Sequence, residues 1–299
     1  MKITKKPHFV PKKYLREWCN KQGKIWTMMD DKIFVADLDR VANQRYFYRF
    51  NPNFTKQEAD LARALFSKYQ NYEIYSYWVD IYEQCANAVK NNLNEISIEY
   101  VEKQLEEEIN CKLEDIFYPI LNLIKNGNVD FYSTNLDEKN EDVINNTIDF
   151  LYGLMEINLR TKNMKNRIIM SINKDNINKD INIENLWMLT RHQFAILLGE
   201  LLYKNQFQLY ILEDKTGGLI TGDQPVFNSN PKFENDNPTN LEYYCPISPT
   251  KAILLTKEKN IETTLSINKR DFYNKLVRDE SESQIYSNSK QTLEYVLKL

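Results

Sequence analysis

Apolar residues recur at helical spacing through the first two thirds of the chain and at the two-residue spacing of strands afterwards. Pro11–Cys19 predicts a short helix, with proline in its first turn and Tyr14, Leu15 and Trp18 on one face. Lys24–Met29 and Lys32–Leu38 read as strands, and the intervening Asp30-Asp31 is a hairpin signal. The aromatic, basic run Arg45–Phe50 fits a packed strand or loop, with base stacking the alternative. Thr55 and Glu58 have the spacing of a capping box, and Leu61, Leu65 and Phe66 continue an apolar stripe behind them. Tyr69–Val89 predicts one or two more helices. Ser97–Ile124 predicts a long amphipathic helix with its stripe at Ile98, Val101, Leu105, Ile109, Leu113, Ile116 and Phe117. Glu107 and Glu114 lie on one side of it, and Pro119 is placed to kink or shorten its end.

Asn126-Gly127-Asn128 breaks that pattern. A second long helix, from Glu141 to about Ser171, carries Ile148, Leu151, Leu154 and Met155 inward. It presents Glu156 and Arg160 at i, i+4, the spacing of a surface ion pair. A third helix, Glu184–Tyr203, follows the Asn-, Lys- and Ile-rich connector at 172–182. Gln206–Leu212, Leu219–Thr221, Leu241–Cys245 and Ala252–Thr256 then read as strands of one sheet, with a loop at 228–240, and Ile267–Ser287 closes the chain as a helix. Helices before strands predict an α+β fold, with long helices packed on an antiparallel or mixed sheet formed mainly by the C-terminal half. With 42% hydrophobic residues, only 7 Gly and 9 Pro, and no linker-like tract, residues 1–299 read as a single domain.

Composition narrows the chemistry. No window has the apolar length of a membrane span, and the basic N-terminus lacks the apolar core of a signal peptide, which implies a cytoplasmic protein without a membrane partner. Four scattered cysteines without a C-x-x-C pair predict reduced, mostly buried thiols, with no zinc site or disulfide framework. Only two histidines are present, His8 and His192, so any metal would depend on oxygen ligands, which favours Mg²⁺ or Mn²⁺. The net charge of −3 argues against a general nucleic-acid binder, yet the charge is uneven. Eight Lys/Arg face one acid, Glu17, within Met1–Lys24, and eight acids face Lys103 and Lys112 within Glu95–Asp115. These stretches either neutralise one another, form two solvated faces, or leave the basic arm for an anion such as phosphate. A P-loop, a dinucleotide glycine fingerprint, H-E-x-x-H and G-x-S-x-G are missing, and there is no nucleotide-cofactor or haem signal.

In Gly217–Asn228, GGLITGDQPVFN, a short strand delivers Asp223 into a turn between Gly222 and Pro225. This is a way to build a site and equally the composition of an ordinary turn. The opening His8-Phe-Val-Pro11-Lys-Lys-Tyr14-Leu15 resembles the H-x-x-P-x-x-Y-L signature of the bacterial domain-of-unknown-function family 4238. EEINCKLEDIFYPIL resembles its acidic segment, with Glu107 and Glu114 at the paired-glutamate positions. LMEINLRT is similar to its helix ending in Arg160-Thr161, LITGDQPVF to its T-S-D-x-P strand–turn, and YYCPISPTKAILL to its proline-bracketed strand. The resemblance covers nearly the whole chain. Gly222 stands where the family often has Ser, Ile157 where Gln commonly precedes the arginine, and Lys162 where Pro is usual; residues at about 55–96 look like an enlarged helical insertion. The resemblance implies a frame and a set of positions, and no reaction. The genomic settings of its members imply conflict with phage or plasmids.

His8, Glu114, Arg160 and Asp223, if brought together, form a coherent set. Histidine shuttles a proton near neutral pH, Asp223 and Glu114 hold a hard cation or act as base, and arginine clamps phosphate. The expectation is a defence or toxin effector, a metal-assisted nuclease or other phosphate-ester hydrolase. Mg²⁺ or Mn²⁺ would sit on Asp223 and Glu114, and nucleic acid or another phosphate-containing ligand would be the partner. The alternative is a non-catalytic binding or sensor module in which His8 caps a helix, Arg160 pairs with Glu114 and Asp223 bonds its own turn. An open pocket around the four favours the first; a closed, fully paired cluster favours the second. His8 is expected near Asp223, and loss of either is expected to spare stability.

Overall fold

The computed structural model describes residues 4, 6–70, 72–91, 97–174, 181–231, 233–234, 237–238 and 240–299; the centre of the connector at 172–182 and much of the loop at 228–240 lie outside them. The chain opens with α1 (Lys12–Leu15), a 3₁₀ turn at Arg16–Trp18, and the hairpin β1 (Ile25–Met29) and β2 (Lys32–Ala36). Helices α2 (Lys56–Phe66), α3 (Tyr72–Lys90), α4 (Ile98–Lys103), α5 (Leu105–Lys125), α6 (Glu141–Leu159), α7 (Lys162–Lys174) and α8 (Ile183–Lys204) follow. The rest comprises β3 (Gln208–Glu213), β4 (Thr221–Gly222), β5 (Phe227–Asn228), β6 (Phe233–Glu234), β7 (Asn237–Pro238), β8 (Tyr243–Ser248), β9 (Lys251–Thr256), α9 (Ile267–Glu280), β10 (Ile285–Ser287) and α10 (Lys290–Val296).

The α+β fold is as expected, with most strands in the C-terminal half, but the strands do not form one sheet. One antiparallel sheet has the order β2-β1-β10-β4 and a second β3-β9-β8-β5, with β6 and β7 as a separate pair. Thr221 and Gly222 pair with Tyr286 and Ile285 in the first sheet, whereas Phe227 pairs with Tyr244 in the second. Asp223–Val226 therefore carries the chain from one sheet to the other. The closing helix is also shorter than its pattern suggested: α9 ends at Glu280, and β10 supplies the strand that joins the N-terminal hairpin to β4.

Local signals account for the well-read elements. Thr55 and Glu58 make both bonds of the capping box at α2. Asp30 and Asp31 both have positive φ, 49° and 60°, as a two-residue hairpin turn with the handedness of its strands requires. Arg45–Phe50 is a packed loop, with Phe47, Tyr48 and Phe50 buried. The two longest predicted helices are each divided, at Gln104 and at Arg160-Thr161, while α5 runs past the exposed Pro119 to Lys125.

The helices form a layer around α8, which packs against α2, α3, α6 and α7 and is buried on almost every side. Gly153 of α6 lies so close to α5 that a Cβ there would overlap the Phe117 side chain. The inward face of α5 is rotated from the apolar stripe: Glu106 and Asn110 are buried, and Ile98 of α4 and Ile116 are 56% and 50% exposed. A similar shift in α6 buries Glu156 and leaves Ile148 outside. The main hydrophobic core nevertheless runs from Phe9 to Val296 through both layers, with Phe66, Tyr75 and Leu197 as a smaller cluster beside it. Among the described residues no helix is long and apolar enough to cross a membrane. All four cysteines are free thiols, but only Cys245 is buried.

Candidate functional site

Arg160 ends α6, and its guanidinium is withdrawn from solvent. Nη2 donates to Glu114 Oε1 at 2.8 Å and to the His8 carbonyl at 3.4 Å, and Nε donates to the Phe9 carbonyl at 3.4 Å. Nη1 makes no hydrogen bond among the described residues. The Tyr48 hydroxyl closes this group by donating to the carbonyls of His8 at 3.4 Å and Arg160 at 3.5 Å. Three of the four sequence-selected residues, His8, Glu114 and Arg160, are thus brought together by the N-terminal segment, α5 and the end of α6.

The backbone at His8 is held by a bridge to Asn43 and by the bond from Phe9 N to the Ala42 carbonyl at 3.0 Å. The imidazole remains partly exposed, and its Nδ1 has no hydrogen-bond partner. Burial lowers its pKa to about 4, helped by the charges of Lys12 and Arg160 and opposed by Asp39, so the ring is neutral at pH 7. Glu107 moves the other way: burial raises its pKa, and Glu114 and Glu106 add to the rise against Arg160. The His8 imidazole, neutral at pH 7, and the Glu107 carboxyl, its pKa raised, thus both feel the permanent charge of Arg160.

Asp223 is placed differently. It is 1% exposed and occupies the crossing between the sheets. Oδ1 accepts from Glu282 N at 2.8 Å; Oδ2 accepts from Ser283 N and Ser283 Oγ at 2.9 Å and from Gln284 N at 3.0 Å. Burial pushes the carboxyl pKa up against the pull of these four bonds. The link from Asp223 to the His8 segment is indirect: Gln284 Oε1 accepts from Ala42 N at 3.0 Å, and the Ala42 carbonyl accepts from Phe9 N. Gly222 is fitted to the same loop, because a Cβ would collide with Ser281 Oγ and stand 3.2 Å from the Gln284 carbonyl.

The residues beside these positions complete the ties. Gln224 Nε2 donates to Asn158 Oδ1 at 2.9 Å and to the Val226 carbonyl at 2.6 Å, while its Oε1 accepts from Thr161 Oγ1. The Tyr14 hydroxyl meets Thr221 Oγ1 at 2.7 Å and donates to the Pro246 carbonyl, joining α1 to both sheets. Tyr14, Thr161 and Gln224 all lie inside the quoted motifs, which was the available signal for them.

Residues 6–291 match the family described as "Protein of unknown function (DUF4238)". The chain belongs to DUF4238. No curated protein and no solved structure matches it. In this DUF4238 chain the quoted motif segments share one hydrogen-bonded region, within which Asp223 serves the sheet crossing and the buried Arg160 ties together the partly exposed His8 and Glu114.

A second polar cluster of the DUF4238 fold escaped sequence reasoning. Arg191 and His192 of α8 are fully buried with Glu106 and Asn110 of α5 and Glu156 of α6. Arg191 Nη2 donates to Glu106 and to Asn110 Oδ1 at 3.2 Å, and Nε lies 3.4 Å from Glu156 Oε2. His192 Nδ1 meets Glu156 Oε1 at 2.6 Å, and the Tyr82 hydroxyl donates to Glu106. Burial alone would raise the glutamates and lower the histidine, but their mutual charges win: Glu106 falls to about 2, Glu156 also falls, and His192 rises. The i, i+4 pair Glu156–Arg160 is thus no surface bridge; Glu156 turns to Arg191 and His192, and Arg160 to the partly exposed Glu114. One signal was available, His192 being one of only two histidines.

For a metal, no group of three or more His, Cys, Asp or Glu side chains among the described residues could hold an ion. Asp223 would have to release backbone N–H groups to bind one. Glu114 is partly exposed and already shared with Arg160.

Proposed function

We propose that this chain is an effector of the toxin or defence type that cleaves phosphate esters, nucleic-acid phosphodiesters foremost, in the cytoplasm. The supporting observation is the buried Arg160 guanidinium, held by Glu114 and two backbone carbonyls beside a neutral, partly exposed His8. In this reading Nη1, which makes no hydrogen bond among the described residues, donates to a phosphate oxygen, a charge-assisted contact. His8 accepts the proton of the attacking water or hydroxyl as the new P–O bond forms. In this reading Glu107, whose pKa burial raises, is the group that would supply the proton taken by the oxygen leaving with the broken P–O bond. An incoming phosphate anion raises the pKa of His8 from its low resting value toward the working range of a base. Mg²⁺ or Mn²⁺ held by Glu114, substrate phosphate and water is the metal-assisted form of the same proposal, since Mg²⁺ commonly uses one or two carboxylates.

Asp223 favours a second reading, a binding or sensor module, because its carboxylate is fully committed to the fold. The test is to incubate the purified protein with single- and double-stranded DNA and RNA and with bis-p-nitrophenyl phosphate, in EDTA and with Mg²⁺ or Mn²⁺. Cleavage in EDTA that His8→Ala abolishes is expected. Cleavage only with metal selects the metal-assisted form, whereas retained nucleic-acid binding without cleavage under any condition selects the module.

A further inference from the structure

A cavity of about 470 Å³ opens between α3, α6 and α8, apart from the His8 edge. Its walls are Ile74 and Trp78 from α3, Ile148 and Tyr152 from α6, and Ile196 and Tyr203 from α8. The volume falls within the roughly 300–1,000 Å³ of small-molecule sites, which are mostly apolar with a few placed polar groups. Gly199 brings α8 against the α6 backbone at the cavity, where an added Cβ would stand 3.4 Å from Tyr152 N, in ordinary contact.

Two polar features interrupt the apolar wall. The Tyr152 hydroxyl is buried, faces Glu156 and makes no well-formed hydrogen bond to the protein. At the rim, Lys204 Nζ pairs with Glu200 Oε1 at 2.5 Å while its side chain remains 53% exposed. An ammonium has three donors, so this single bond leaves capacity for a second acceptor. Trp78 is the partition between the cavity and the buried charged cluster: its ring stacks on that of His192 with centroids 4.1 Å apart and planes at 18°.

We propose that this cavity binds a small amphipathic carboxylate, with its apolar body between Trp78 and Tyr152 and its carboxylate on Lys204. A protein partner or a second copy fits the dimensions poorly. Nine residues line the cavity, whereas a stable protein interface takes roughly 20–30 residues a side. Glu200 also lines the cavity, but its Oε1 is taken by Lys204 and its Oε2 by the Tyr75 hydroxyl, so the remaining Lys204 donors give the occupant its sign and the apolar walls give it its body. Binding changes the surroundings of Trp78 and reaches His192 through the stacked rings.

The test titrates the full chain with decanoate and with decanol, reading heat and tryptophan emission. Decanoate should bind one per chain and shift the emission, and Trp78→Phe should keep the heat and lose most of the shift. Lys204→Ala should weaken decanoate about tenfold and leave decanol unchanged. Ile148→Trp, at an exposed position on the cavity mouth, should abolish binding of both without lowering the unfolding temperature. Failure of the unaltered chain to bind either probe, equal binding by Ile148→Trp, or decanol binding without decanoate binding would overturn the assignment. So would self-association of the chain that Ile148→Trp abolishes, which would make the occupant a second copy.

Discussion

Asp223 and His8 sit in adjoining segments, but their surroundings assign them different work. Every oxygen of Asp223 faces donors, so Asp223→Asn sets an amide NH₂ against a backbone N–H of the Glu282–Gln284 loop. It should cost about 1–3 kcal/mol, read as a lower urea midpoint with unchanged slope. This reverses the expectation that its loss spares stability. Gly222→Ser, the residue the family pattern favours there, should also destabilise, because Ser281 fills the space; a double variant with Ser281→Ala should recover part of the loss. His8 is the partly exposed member, and its folded pKa lies below its unfolded value. The unfolded chain therefore binds the extra proton between about pH 6.5 and pH 4. The cost of protonating it in the fold is absent above about 6.5 and grows as the pH falls toward 4. His8→Gln should flatten the melting curve's pH dependence within that window and leave it unchanged above it.

At the scale of elements, the legible parts were those written in neighbouring residues. The capping box at Thr55 and Glu58, the Asp30-Asp31 hairpin and the span of α8 could all be read directly. The inward faces of α5 and α6 could not. Periodicity assigns the core to the apolar stripe, whereas Arg191 of a distant helix draws Glu106, Asn110 and Glu156 inward and turns Ile116 and Ile148 out. Likewise Ile285–Ser287 resembles the end of a helix until β1 and β4 are present to pair with it. The buried cluster gives a prediction of its own. Arg191→Met leaves Glu106 and Glu156 buried with only His192 against them and should cost about 3–5 kcal/mol, enough to lower the thermal midpoint sharply. Glu106 and Glu156 have depressed pKa values, so their stabilisation is present above the usual carboxylate range and lost as the pH falls below it, for Glu106 toward about 2.

For the whole molecule, the family segments stand far apart in sequence and meet where α1, the end of α6 and both sheets converge. The resemblance located that region; it could not say which residues tie it together and which face outward, because that depends on the sheet crossing at Asp223–Val226. The central claim is that His8 belongs to the chemistry and Asp223 to the fold. It is tested most directly by measuring phosphodiester cleavage and the thermal midpoint together on His8→Ala and Asp223→Asn at pH 7.5. His8→Ala should lose cleavage at an unchanged midpoint, while Asp223→Asn should lower the midpoint and retain cleavage at temperatures where it is folded. Cleavage that survives His8→Ala, or that disappears in a fully folded Asp223→Asn, would contradict the claim.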